Sequence, residues 1–254
     1  MSSDSNSRFT SSTRTMTNAQ TGAGVEIDAG LREYMLRVYN YMTSGLVLTG
    51  LIAYFSANTP AILNMLYVAG EGGNLQPTGL AYLVMFSPLA FVLVLSFGIN
   101  KMQASTAQAV FWAFAAVMGL SLANIFLVYT GASIPRVFFI TAGTFGWMSL
   151  YGYTTKRDLS GMGSFLMMGL IGIIIASIVN MFLASSALHF VISVVGVLIF
   201  VGLTAYDTQK IKLLYMEADS GEVMTKKAIM GALTLYLDFI NLFIMLLRLF
   251  GQRR

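Results

Sequence analysis

Seven stretches of about 20 residues run through this chain with no charged side chain except a single aspartate in each of the last two. They lie at approximately 38–57, 79–99, 107–129, 137–153, 162–184, 187–208 and 228–247. At 1.5 Å per residue, each is long enough to cross a hydrocarbon core of about 30 Å. Backbone polar groups in lipid must be satisfied within the segment or by a closed barrel, and barrel strands would be half this length with alternating polarity. The pattern predicts an all-α polytopic membrane protein, a bundle of seven transmembrane helices. Composition agrees: 10% of residues are charged, against about 25% in a soluble domain.

Residues 1–30 are rich in Ser, Thr, Asn and Gly and lack the apolar core and cleavage signature of a signal peptide. They read as a disordered cytoplasmic tail ahead of a transmembrane domain over 31–254. The chain has no cysteine and one histidine, His189, which excludes disulfides, thiol chemistry and histidine-rich metal clusters. His189, opening the sixth segment, reads as an interfacial residue.

Basic residues set the orientation, because cytoplasmic loops retain Lys and Arg. Arg32 and Arg37, Lys101, Lys156 and Arg157, and Lys210, Lys212, Lys226 and Lys227 all fall on one side of a seven-crossing chain, whereas the opposite loops contain only Arg136. The N-terminus is therefore expected in the cytoplasm and the protein in the cytoplasmic membrane, with lipids as its surroundings. Seven crossings place Arg248, Arg253 and Arg254 outside, against the bias; a re-entrant last segment would keep them inside. Dispersed basic residues without interleaved aromatics exclude a nucleic-acid partner. The stretch 210–227, with three acids among four lysines, reads as a solvated charged turn.

Two acids lie within the apolar runs, Asp207 and Asp238. A carboxylate at membrane depth costs at least ~2.5 kcal/mol and marks an ion or proton site by default. On the seventh segment Gly231, Thr234, Asp238, Asn241, Met245 and Arg248 share one helical stripe, and on the sixth Ser193, Gly196, Phe200, Leu203 and Asp207 share another. If these stripes face each other, the carboxyls cannot both ionise cheaply, so the pair shares a proton and senses pH. With Thr204, Thr234 and Asn241 as supporting oxygens, the deprotonated pair suits Ca²⁺ better than a soft metal. The alternative is structural: Asp207 ends its helix near Lys210, and Asp238 bonds a neighbouring helix.

The string Phe200-Val201-Gly202-Leu203-Thr204-Ala205-Tyr206-Asp207-Thr208-Gln209-Lys210-Ile211 resembles the signature of the transmembrane Bax inhibitor motif (Bax inhibitor one) family. The run Ala232-Leu233-Thr234-Leu235-Tyr236-Leu237-Asp238-Phe239-Ile240-Asn241-Leu242-Phe243 is similar to its last-helix motif, and Gly146–Lys156 resembles the bacterial branch. The resemblance implies a bundle with a central last helix, a pH-sensitive di-aspartyl site at Asp207 and Asp238, and a calcium leak, with calcium as permeant ion and no cofactor. The chain ends Gly251-Gln252-Arg253-Arg254 rather than in the lysine-rich tail of many eukaryotic members.

Three classes of function follow. A pH-sensitive calcium leak channel uses both aspartates as sensor and cation site. An intramembrane aspartyl protease would also place one Asp after a Tyr, but Asp238 follows Leu235-Tyr236-Leu237 rather than a Gly-x-Gly-Asp loop, and none of Pro60, Pro77, Pro88 and Pro135 can supply a later Pro-Ala-Leu. The chain is therefore read as a non-enzyme. The remaining alternative is a membrane-embedded regulator or substrate of a membrane-bound AAA protease, for which the polar tail would be the extractable segment.

Overall fold

A computed structural model describes residues 29–68 and 76–254. The disordered tail expected over 1–30 lies outside this range except for Ala29 and Gly30, as does the glycine-rich stretch Gly70–Gly73. Eight helices and one hairpin occupy the described chain: α1 (Thr10–Asn58, described from Ala29), α2 (Pro60–Leu66), the antiparallel pair β1 (Tyr67–Ala69) and β2 (Leu75–Pro77), α3 (Gly79–Gly98), α4 (Ala104–Val128), α5 (Ser133–Thr154), α6 (Ser160–Leu183), α7 (Ser186–Leu213) and α8 (Gly221–Phe250).

The seven long helices coincide with the seven uncharged stretches, and the protein is a polytopic helical membrane bundle. Five of them, α3, α4, α6, α7 and α8, are long and apolar enough to span a membrane on that measure alone; α1 joins α2 as a sixth, bent by 89° at Thr59. In α5 the hydroxyls of Thr141, Thr144 and Ser149 dilute the apolar stretch.

Helix ends follow local chemistry. Ser185 accepts from the Leu188 amide at 3.3 Å and Ser220 from the Val223 amide at 3.4 Å, so serines cap α7 and α8. The Ser220 cap shortens the charged turn expected over 210–227 to residues 214–220, the rest being helix. There Asp219 pairs with Lys227 within hydrogen-bond distance, at 2.6 Å, while Lys226 meets Glu222 one turn back at 3.0 Å.

The last helix is central. α8 packs mainly against α1, α4, α5 and α7, and 72% of its apolar stretch is buried, against 11% for α6, which leans chiefly on α7. Small residues set the close approaches. Gly196 on α7 faces Met245 on α8, and Gly231 on α8 faces Ile211 on α7. These two contacts give α7 and α8 one antiparallel register, and the same register sets Asp207 opposite Asp238.

The ends sort into two faces. Gly30 meets Tyr215, Arg37 donates to Thr225, and Lys212 donates to the Tyr153 carbonyl at 2.8 Å, which gathers the basic loops on one face. On the other, the Thr130 amide donates to the Gln252 carbonyl at 2.9 Å and the Arg254 amide to the Val128 carbonyl at 3.0 Å. The C-terminal residues are thereby pinned to the α4–α5 loop, opposite the basic face.

Candidate functional site

Asp207 and Asp238 meet between α7 and α8, 9% and 6% exposed. Their carboxyls lie within hydrogen-bonding range of each other, and Lys210, one turn beyond Asp207, is the nearby cation. Asp238 Oδ2 is buried with no hydrogen-bond partner among the described residues. A buried carboxyl oxygen without a donor is costly to leave so.

Each residue of the Ala205–Gln209 run holds a different neighbour, which is why Asp207 has a fixed position. Gly152 on α5 lets the Ala205 carbonyl approach, and Gly163 on α6 lies under the Tyr206 ring. Thr208 bonds α5 through Ser149 at 3.0 Å. Gln209 pins the α5–α6 connection, its Oε1 accepting from the Leu159 amide at 2.9 Å and its Nε2 donating to the Arg157 carbonyl at 2.7 Å. Asp207 is left to face α8. Lys210 stands over the Tyr206 ring, 5.9 Å from its centroid.

Thr208, Ser149 and Tyr39 form a directed chain. Thr208 donates its one hydroxyl proton to the Thr204 carbonyl at 2.7 Å, so Ser149 donates to Thr208, and Tyr39 in turn donates to Ser149 at 2.6 Å. Three helices, α1, α5 and α7, are tied beside the site.

The expected supporting oxygens are placed differently from the carboxyls. Thr204 Oγ1 donates to the Phe200 carbonyl at 2.7 Å, Thr234 Oγ1 to Met230 at 3.1 Å, and Asn241 Nδ2 to Leu237 at 2.8 Å. All three satisfy their own helices, as hydroxyls and amides in apolar helices commonly do. Among the described residues no group of three or more acidic, His or Cys side chains could hold a metal ion. Any cation here would rest on two carboxylates and weak neutral ligands.

The sequence profile described as inhibitor of apoptosis-promoting Bax1 matches residues 31–254. The chain belongs to the Bax inhibitor family. It is 49% identical over 242 residues to an uncharacterised protein of Rickettsia prowazekii, covering 95% of this chain and 98% of that one. It is 50% identical over 234 residues to the inner membrane protein YbhL of Escherichia coli K12, covering 91% and 96%. An uncharacterised protein of Caulobacter vibrioides is 48% identical over 233 residues, covering 91% and 93%.

Within this Bax inhibitor fold, sequence reasoning missed the residues that position the pair. Gln209 lies inside the Phe200–Ile211 motif, but its role in pinning the α5–α6 connection was not read there. Tyr39 and Ser149 carried no signal, since their partners lie 110 and 59 residues away in sequence. His189 sits part-exposed in the first turn of α7, near Arg248 and Arg253 on the face opposite the basic loops.

Proposed function

We infer that this Bax inhibitor family member is a pH-sensitive cation leak pathway of the bacterial inner membrane, with calcium as permeant ion. Asp207 and Asp238 are its proton sensor and cation site. One observation carries the reading: two buried carboxyls in mutual contact on the central helix pair, one with an unpartnered oxygen. Such a contact requires that the pair keep a proton, because two carboxylates at that distance repel. With one proton the site carries one negative charge, and losing it gives two. Cation occupancy therefore rises as pH rises. A site of two carboxylates with few further ligands also fits permeation, which needs binding weak enough for release. The reading needs no bond-breaking chemistry and no cofactor, and the inner-membrane placement follows the relative's name.

The test is calcium entry into dye-loaded liposomes holding the purified full chain, between about pH 6 and 8, where a coupled carboxyl pair can titrate. The leak is expected to vary with pH in the wild type and to lose that dependence in the Asp207→Asn, Asp238→Asn double variant. A wild-type leak no greater than that of empty liposomes at every pH would overturn the channel reading and favour a membrane-embedded regulator of an AAA protease.

A further inference from the structure

A groove of about 510 Å³ separates α1 from α5 and is independent of the aspartate pair. Met35, Tyr39 and Met42 line it from α1, and Phe145, Gly146 and Leu150 from α5. Arg32 stands at its end on the basic face. Arg32, Tyr39 and Met42 share one stripe of α1, and the ten residue steps from Arg32 to Met42 span about 15 Å, the depth of one leaflet's half of the hydrocarbon core. Gly146 opens the middle: a Cβ there meets nothing within 4 Å.

The lining is mostly apolar although it includes three hydroxyl residues, Tyr39, Ser149 and, toward the mouth, Tyr153. Tyr39 donates to Ser149 and Ser149 to Thr208, so both of these protons are already taken by acceptors within the protein. A polar ligand would find few partners along the wall, whereas a hydrocarbon chain would find methionine, phenylalanine and leucine. The mouth is cationic. Besides Arg32, Lys212 reaches the Tyr153 carbonyl at 2.8 Å, with its ammonium 5.1 Å from the centroid of the Tyr153 ring, and Tyr153 itself lines the groove. The nearby acid on α1, Glu33, is engaged by Arg37 at 3.0 Å.

We propose that this groove is a site for one anionic phospholipid of the leaflet on the basic face, its acyl chain lying between α1 and α5 and its phosphate held by Arg32 with Lys212 beside it. The two features select different parts of one molecule: the apolar slot takes a chain, and the cations prefer a net negative headgroup over a zwitterionic one.

Native mass spectrometry of the full-length protein, released from detergent with either phosphatidylglycerol or phosphatidylcholine titrated in, tests the site. Wild type is expected to retain one phosphatidylglycerol more tightly than phosphatidylcholine. Arg32→Gln should weaken phosphatidylglycerol about fivefold, the effect of one basic residue near an anionic lipid, and leave phosphatidylcholine unchanged. Gly146→Leu, whose Cβ meets nothing within 4 Å and whose side chain occupies the slot, should abolish retention of both lipids. Gly143→Leu is the matched control: it lies on the same helix, its Cβ also meets nothing within 4 Å, and it is outside the groove. Equal retention of the two lipids by wild type, or equal retention by the Gly146→Leu and Gly143→Leu variants, would overturn the proposal.

Discussion

Thr49 has one hydroxyl proton, given to the Ala115 carbonyl at 2.8 Å, so the buried Tyr236 hydroxyl, 2.7 Å away, must donate to Thr49. The two changes that break this contact are therefore unequal. Tyr236→Phe removes a donor and leaves the Thr49 bond to Ala115 intact, a loss of about 0.6 kcal/mol, the average for such bonds between membrane helices. Thr49→Val strands the Tyr236 hydroxyl and frees the Ala115 carbonyl, and costs roughly 1–3 kcal/mol. Denaturant unfolding in detergent should rank them in that order; equal losses would mean that the tyrosine has another acceptor. Asp207 and Asp238 were legible as residues because a charge inside an apolar run stands out. Thr49 was not, since a threonine in a membrane helix usually bonds its own backbone, as Thr204 does.

Between elements, the spacing of helices is decided by a few glycines whose role a single sequence does not reveal. Gly152 and Gly143 sit on the same helix and look alike in the sequence. A Cβ on Gly152 would strike the Ala205 backbone carbonyl, which cannot give way, whereas one on Gly143 meets nothing within 4 Å. Gly152→Ala is expected to push α5 off α7, shift Asp207 and lower the melting temperature. Gly143→Ala should raise stability by about 0.5–1 kcal/mol through reduced chain entropy. A calorimetric scan in which both alanines act alike would reject this account of the α5–α7 contact. The end of α6 offers a converse case. Ala184 takes a left-handed conformation, φ 49°, where a side chain costs roughly 1–2 kcal/mol, so Ala184→Gly should stabilise the protein by a comparable amount in the same assay. Helix positions could be read from the apolar runs because lipid enforces them. The register of α7 on α8 needed the facing pairs Gly196 with Met245 and Gly231 with Ile211, which only packing brings together.

At the scale of the whole molecule, the basic-loop bias and the C-terminal arginines make opposite demands. The bias gathers Arg32, Lys101, Arg157 and Lys210 on one face, yet backbone bonds from Gln252 and Arg254 to the α4–α5 loop fix the C-terminal residues on the other. In the described geometry α8 runs from one end of the bundle to the other, since Gly231 near one end meets Ile211 while Gly251 at the other end meets Tyr129. Positive charge on loops biases topology without dictating every segment, and a long apolar α8 buried among its neighbouring helices has more to lose by re-entering than three arginines lose by crossing. The chain has no cysteine, so single cysteines report cleanly. In intact cells, an impermeant maleimide should label cysteines at Gly131, Ser185 and Gln252, and should reach those at Lys101, Arg157 and Glu217 only after the membrane is opened. Labelling of Gln252 together with Lys101 would show a re-entrant last helix. It would also place Asp238 at a turn instead of mid-span, where the shared-proton site could no longer form across α7 and α8.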